Sequence, residues 1–445
     1  MSPLKAVALL LLGVVLLFPS AASAQEKLTL QEAIRIGLQN NYTIRIAGKQ
    51  EAIAENNVSL GNAGFLPTVD ARATRNFRED NSEQTLQNGD LVVRDGASSN
   101  NLNSSVNLNW TIFDGLGMFI NYDRLQAIRR SGTLFTREVV ENTVADITDA
   151  YHEVVRQEYK IQAIEDAIAI SEARVEITEA QYNVGVSAKV EILRARVDMN
   201  ADRSELLRQT ELLQNAKINL NQLLARSPDV PFVTASPIVV DSTLTFGTAT
   251  SGLELANPLL KRLQLNKELA NLDLKSIRAS RLPVLGVTSA YNFSRSESEP
   301  LNPFSTRSSL NNGYNYGLTV SLPIFNGFNL NRQAQNARIA IETSDLEYQQ
   351  EQNRLSADLA RAFSQYTNRL QLLKLEESNL VLAQENAEIA LERYRLGLLT
   401  AIELREAQRN QLVAENRLID IKYEAKAAET ELKRISSTLL QNTTL

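Results

Sequence analysis

The chain has 445 residues, no cysteine, one histidine, and 46 basic against 52 acidic side chains, for a formal net charge of −6. Without cysteine there are no disulfides and no thiolate metal sites. The slight acidity, with no basic patch, gives nucleic acid no footing.

At the N-terminus, Lys5 precedes an apolar run from Ala6 to Phe18, then Pro19 and Ala22-Ser23-Ala24. A basic start, a short apolar core and an A-x-A site predict a signal peptide over 1–24 and an exported mature chain. No later segment is a continuous apolar run of transmembrane-helix length, so a membrane-spanning part would have to be a β-barrel.

The rest of the chain is written twice. Phe65–Val69 (FLPTV) recurs as Arg281–Leu285 (RLPVL), and Asn41 recurs as Asn257, both 216 positions on. TIFDG ending at Gly115 recurs as PIFNG ending at Gly327, 212 positions on, and the same step relates Tyr182 to Tyr394, Gly185 to Gly397 and Glu191 to Glu403. Ordered landmarks at a fixed step mark an internal duplication.

Repeat 1 spans 25–250. A helix is predicted over 25–64, opened by Thr29 and Glu32 as a capping box and ended at Pro67. A strand pair follows over 65–113, a long helical hairpin over 116–226, and a Pro-, Thr- and Ser-rich linker over 227–250. Repeat 2 spans 251–445, with a helix over 251–281, strands over 282–325, a hairpin over 328–437 and a C-terminal tail.

The second strand of each pair alternates strictly. Val106, Leu108, Trp110 and Ile112 are apolar where Asn103, Ser105, Asn107, Asn109 and Thr111 are polar. Tyr316, Leu318, Val320 and Leu322 alternate likewise with Asn315, Gly317, Thr319 and Ser321. Period-two patterning with aromatics on the apolar side predicts lipid-facing barrel strands. The connections, about Glu79–Asn101 and Ser294–Asn312, are rich in Asn, Ser and Asp and are expected to be long extracellular loops. Four strands cannot close a barrel and open edges are not tolerated in lipid, so several copies must pool them. Three copies would give about twelve strands, an acceptable closed barrel.

The helical tracts are too long for a globular core. Met118–Gln181 alone would run about 95 Å at 1.5 Å per residue. Its stripe Val144, Ile147, Tyr151, Val154, Ile161, Ile164, Ile168 has the three-four spacing of helices packed on helices, as does Leu355, Leu359, Ala362, Tyr366, Leu370 in the second copy.

Across nearly all its mature length the chain resembles the TolC-type outer-membrane efflux proteins. The resemblance rests on the signal peptide, the duplication, the F-L-P opening of the first strand pair, I-F-D-G and I-F-N-G leaving each second strand, and Y-x-x-G inside each helical tract. It implies a mainly α fold with a transmembrane β-barrel: a homotrimer whose twelve strands, four per protomer, continue into a long periplasmic α-helical barrel. It further implies a passive exit duct in the outer membrane, fed by an inner-membrane pump through a periplasmic adaptor protein. Tyr182, Gly185, Tyr394 and Gly397 then stand at the periplasmic helix turns where an adaptor docks. Glycine is also the residue that ends a helix in the left-handed conformation without penalty. Beyond the second turn the family places acidic residues toward the narrowed lumen, and the matching positions are Glu403 and Glu406, with Glu191 at the first turn. Some members carry an arginine two residues after the second glycine as part of the closure. Here that residue is Leu399, with Arg395 and Arg405 as candidate substitutes.

An outer-membrane component of a type I protein secretion system is the alternative within the channel class, and an exported coiled-coil structural protein the alternative outside it. No enzyme motif occurs, and neither cofactor nor metal is expected. His152, within a helical tract, is expected to be a surface or packing residue.

Overall fold

A computed structural model describes residues 26–298 and 306–442, so the signal peptide expected over 1–24 lies outside the described residues. In chain order the elements are β1 Glu26–Leu28, α1 Leu30–Asn40, α2 Tyr42–Asn56, α3 Leu60–Ala63, β2 Thr68–Thr85, β3 Leu91–Asp114, α4 Gly117–Asn183 and α5 Lys189–Leu223. There follow β4 Phe232–Thr234, α6 Phe246–Ala256, α7 Pro258–Ala279, β5 Val284–Ser298, β6 Ser308–Ser321, α8 Asn329–Arg395, α9 Ala401–Ile435 and a 3₁₀ turn, Leu439–Asn442.

The duplication holds to the residue in the hairpins. α4 and α8 are both 67 residues long and start 212 positions apart, and α5 and α9 are both 35 residues long with the same step. Asn41 and Asn257 do the same work in each repeat, breaking the leading helix. Asn41 donates to the Leu223 carbonyl (2.8 Å) and Asn257 to the Ile435 carbonyl (3.1 Å). The helix expected over 25–64 is therefore three helices, interrupted at Asn41 and again at Asn57–Ser59.

Two compact units are formed, each drawing on both repeats: Ala47–Arg137 with Pro258–Asn353, and the chain through Ile46 with Glu138–Asn257 and from Arg354 on. The second unit holds the main apolar core. Leu28, Ile34, Val144, Ile147, Tyr151, Val154, Leu220 and Phe232 close on one another there, so α1 and the linker pack on the α4–α5 hairpin. The linker is more ordered than a Pro- and Ser-rich stretch predicts. Its β4 pairs in parallel with β1, and the Tyr151 hydroxyl donates to the Leu28 carbonyl and accepts from the Ala235 and Ser236 amides. His152 is buried, with Nδ1 2.7 Å from the Thr148 carbonyl, and burial pushes its pKa down to about 4. It is a packing residue.

The first unit carries an antiparallel sheet in the order β2-β3-β5-β6. Its register sorts the side chains into two faces. Val69, Leu108, Ser289 and Tyr316 form one row, and Ala71, Val106, Tyr291 and Tyr314 the next on the same face. On the opposite face the rows are Asp70, Asn107, Ala290, Asn315 and Arg72, Ser105, Asn292, Gly313. Successive residues alternate faces, so one face is apolar and aromatic and the other is lined by amides and hydroxyls. Tyr316 and Leu318 are each 81% exposed on one chain, which a water-facing apolar surface does not explain. No helix among the described residues is long and apolar enough to cross a membrane.

Three strand expectations change. The supposed loop Glu79–Asn101 is mostly strand: β2 and β3 stay paired to Thr85↔Leu91 around a tight turn in which Gly89 has φ 88° and the Leu86 amide donates to the Asp90 carbonyl. Apart from Leu91, Val92 and Val93 at its tip that ribbon is polar, so it carried no hydrophobic alternation to read. Likewise β5 and β6 extend to Ser298 and from Ser308, leaving a shorter connection than Ser294–Asn312. Finally, the register steps between Thr111 and Phe113. Ile112 is the bulged residue, and Phe113 takes the place opposite Leu285. Leu322 lies one residue beyond the end of β6.

Candidate functional site

The two helical turns between α4 and α5 and between α8 and α9 are built alike. At the first, the Gly185 amide donates to the Tyr182 carbonyl and the Val186 amide to Gln181; at the second, Gly397 donates to Tyr394 and Leu398 to Arg393. Both glycines are left-handed, φ 83° and 72°. This is the six-to-one and five-to-two bonding of a Schellman cap, which satisfies the last carbonyls of a helix and turns the chain out of it. The Y-x-x-G spacing puts tyrosine at the carbonyl that the glycine amide caps.

Past the turns the repeats diverge. Thr400 caps α9: its hydroxyl accepts from the Glu403 amide (3.3 Å), while the Glu403 carboxylate accepts from the Thr400 amide (2.9 Å) and hydroxyl (2.7 Å). That reciprocal pair is a capping box, and the Thr400 amide bond, then its hydroxyl, hold the Glu403 carboxyl below the usual range. At α5 the capping position is Ala188, which offers no side-chain bond, and Glu191 pairs instead with Arg194 (2.8 Å).

Of the three expected entrance acids, then, two are locally engaged. Glu406 is exposed and has no hydrogen-bond or ion-pair partner among the described residues. Glu191 and Glu406 line one cleft of about 450 Å³ together with Asp198 and the arginines 174, 194, 405 and 409; Glu403 does not line it.

What crosses between the hairpins is a polar cluster the sequence reading did not assemble. Arg405 on α9 donates to both oxygens of Asp202 on α5 (2.9 and 3.1 Å) and lies 3.8 Å from Asp198. Ser171 donates to Asp202 (2.6 Å), and the buried Arg174 reaches Asp198 (2.6 Å). The Asp202 bond, with the charges of Asp202 and Asp198, raises the Arg405 pKa. Below this, the Thr178 and Tyr394 hydroxyls meet at 2.9 Å. Of the two candidate substitutes for the missing arginine, Arg405 makes the cross-hairpin bond, and Arg395 makes only a local pair with Glu392. Leu399 packs against the cluster of Ala387, Ala390, Tyr394, Leu404 and Ala407. The cue was present at Ser171, Arg174 and Thr178: the apolar stripe of α4 turns polar at helical spacing where the tie begins.

Among the described residues no three His, Asp or Glu side chains are gathered to hold a metal ion.

The sequence matches the family model of the outer membrane efflux proteins over residues 33–226 and 251–437, one match to each repeat. A protease secretion protein, PrtF of Dickeya chrysanthemi, is 20% identical over 441 residues, covering 96% of this chain and 91% of that protein. The outer membrane protein TolC of Vibrio cholerae is 18% identical over 407 residues, 89% of this chain and 87% of its own length. In three dimensions the fold matches the crystal structure of CusC with a TM-score of 0.73 at 16% identity, covering 94% of this chain and 95% of that one.

Proposed function

The chain belongs to the outer membrane efflux protein family, and we propose that three copies of it form the exit duct of a tripartite efflux system. The observation that carries this reading is the sheet. Its apolar face suits lipid, its amide-lined face suits a water-filled lumen, and its two edges, β2 and β6, have no strand partner among the described residues. An edge in lipid leaves backbone groups unsatisfied at several kcal/mol each, so β6 of one copy pairs with β2 of the next until twelve strands close. Val106, Leu108, Trp110, Tyr316, Leu318 and Val320 then face lipid, with Ile112 and Leu322 at the periplasmic margin.

The Gly185 and Gly397 turns, with Tyr182 and Tyr394, form the periplasmic tips where the adaptor docks. Val184, Val186, Leu396 and Leu398 on these turns are 65–75% exposed, an apolar surface that suits a partner's helical tip. Behind the tips Glu406 supplies the free carboxylate of each protomer, with Glu403 and Glu191 near the same opening. A ring of such groups favours cations and holds back anions. The duct has no reaction of its own; the inner-membrane pump supplies the work.

Purified protein in planar bilayers tests this. It should run as a heat-resistant trimer, conduct ions, and lose part of its cation selectivity and divalent-cation block in Glu403→Gln with Glu406→Gln. A monomeric protein without conductance refutes the channel; unchanged reversal potentials refute the acidic opening alone.

The likeness to PrtF, a protease secretion protein, favours a second reading in which the duct serves protein export. Co-purification decides: a proton-driven pump supports efflux, an ATP-driven transporter supports secretion.

A further inference from the structure

The apolar face of the sheet ends in charge on the side away from the helices. Its row nearest the helices is Phe113, Leu285 and Val320, and rows with Trp110, Leu108, Val106 and Phe293 follow outward. The next row on this face is Arg75, Leu102, Arg295 and Leu310. Val320 and Leu310 are ten residues apart on one strand. That is about 34 Å along β6 at 3.4 Å per residue, and about 26 Å along the membrane normal at a tilt of about 40°. The apolar band of an outer-membrane barrel is about 25 Å tall. With the helices in the periplasm, the arginine row stands at the headgroups of the outer leaflet.

The two arginines are held differently. Arg75 donates from Nε to Asn100 Oδ1 (3.0 Å), and its guanidinium lies over the Phe77 ring, 4.8 Å from the centroid. Those two contacts fix the plane of the group. Nη1 and Nη2 have no partner among the described residues, and this open fork matches two oxygens of a phosphate. Arg295 stands two strands away, about 10 Å across the sheet. It commits Nε and Nη2 to Glu297 (2.9 and 2.5 Å) and is largely neutralised. Leu102 lies between the arginines and Leu310 beyond them, 62% exposed. An arginine that only reached for water would need neither an amide and a ring to brace it nor leucines beside it.

We propose that this row binds a phosphorylated glycolipid of the outer leaflet. The Arg75 fork takes a phosphate on the sugar headgroup, and the acyl chains lie along Leu102, Leu310 and Phe293. The inference rests on the barrel reading above, which turns this face to lipid and this end outward. Charge decides for an anionic occupant: Arg75 has no acidic partner, and the carboxylate of the next row, Glu297, is taken up by Arg295. Glu297 therefore also limits the site, because it keeps Arg295 from adding a second charge-assisted contact. The closed barrel carries three such sites, one on each copy.

Native mass spectrometry of the purified trimer, released into mild detergent from phosphatidylcholine nanodiscs doped with lipid A, tests this. The wild type should retain lipid A in preference to phosphatidylglycerol offered at the same level, and should lose the same glycolipid once its phosphates are removed. Arg75→Ala should weaken retention about tenfold, the loss of one bidentate charge-assisted contact. Arg75→Lys keeps the charge without the fork and should weaken it nearly as much, while Glu297→Gln, which releases Arg295, should strengthen it. The heat-resistant trimer band and conductance show that each variant assembles. Unchanged retention in either assembled Arg75 variant overturns the fork contact. Retention of the dephosphorylated glycolipid or of phosphatidylglycerol equal to that of lipid A overturns the choice of occupant. A conducting trimer that retains no lipid A overturns this inference alone, whereas a monomeric protein without conductance overturns the channel reading beneath it as well.

Discussion

Asp149 allows the α4–α9 seam to be weighed. Its carboxyl is half-buried on α4, with Oδ1 lacking any hydrogen-bond partner and with Asp146 and Glu431 adding like charge. Desolvation first, then those two neighbours, push its pKa from 3.8 up to about 7. A carboxyl whose folded-state pKa lies above its unfolded value destabilises the fold while ionised: the penalty is full above pH 7 and is relieved as pH falls toward 4. At 1.36 kcal/mol per unit, the interval from 3.8 to about 7 sets a ceiling of about 4 kcal/mol. Asp149→Asn removes the charge at constant shape and should be the more stable protein at pH 8.5. With a native pKa of about 7, protonation returns about 2 kcal/mol to the wild type by pH 5.5, so the gap should narrow by that amount. For a unit of some two hundred residues this is roughly 4 °C of melting temperature. His152 titrates in the opposite sense, its pKa pushed down to about 4 by burial, so acid alone would blur the result. Subtracting wild type from mutant cancels His152. The assay is loss of the heat-resistant trimer, or of helical circular dichroism, against temperature at pH 8.5 and 5.5. A mutant advantage equal at both pH values, or no advantage at pH 8.5, refutes the reasoning.

Four further outcomes are expected. Arg405→Ala should destabilise the paired hairpins by about 2 kcal/mol, since it strands a carboxylate only 10% exposed; a cycle with Asp202→Ala in thermal melts should recover most of that as coupling. Glu403→Ala should speed amide exchange in the first turn of α9, and Glu403→Gln should restore protection if the capping box is the cause. Gly115→Ala should abolish trimer assembly in an extraction assay, because its Cβ would sit 2.4 Å from the Ala279 carbonyl, whereas Gly327→Ala meets nothing within 4 Å and should assemble. Trp110→Phe should lower the melting temperature by a few degrees through loss of the 2.9 Å indole bond to the Phe65 carbonyl.

Much of the architecture was legible because the chain states it twice. The hairpin lengths, the Schellman turns and the apolar strand face follow from glycine positions and from periods of two and three to four. What stayed hidden is chemically silent. Four pairs of residues with positive φ recur at the 212 step: Gly115 and Gly327, Leu116 and Phe328, Gly185 and Gly397, Ala225 and Ser437. Two of the four pairs contain no glycine, so nothing in composition marks them. There the surrounding packing imposes a backbone that the residues themselves disfavour by about 1–2 kcal/mol. The β2–β3 ribbon was hidden for a related reason: backbone pairing holds it with apolar side chains only at its tip and no alternating apolar face. The Arg405 cluster was missed because its members are spread over three helices, and only folding brings Ser171, Arg174, Asp198, Asp202 and Arg405 together.

The same comparison sets the symmetry of the opening. Backbone geometry at the two turns is the same, yet capping and charge are not. Thr400 and Glu403 form a box where Ala188 offers nothing and Glu191 turns to Arg194, and Arg194 itself stands at the position equivalent to Glu406. A channel built from three such chains would have six alike turns but only threefold electrostatics: on the entrance assignment proposed above, Glu406 would alternate around the ring with Arg194. A pure carboxylate ring would repel its own members and raise their pKa values. An alternating ring stabilises each charge by its neighbours, and its attraction for cations is correspondingly weaker. Arg194→Gln then becomes the informative change: it removes the counter-charge, and cation preference measured by reversal potential should rise. A fall, or no change, would place Arg194 away from the conducting path.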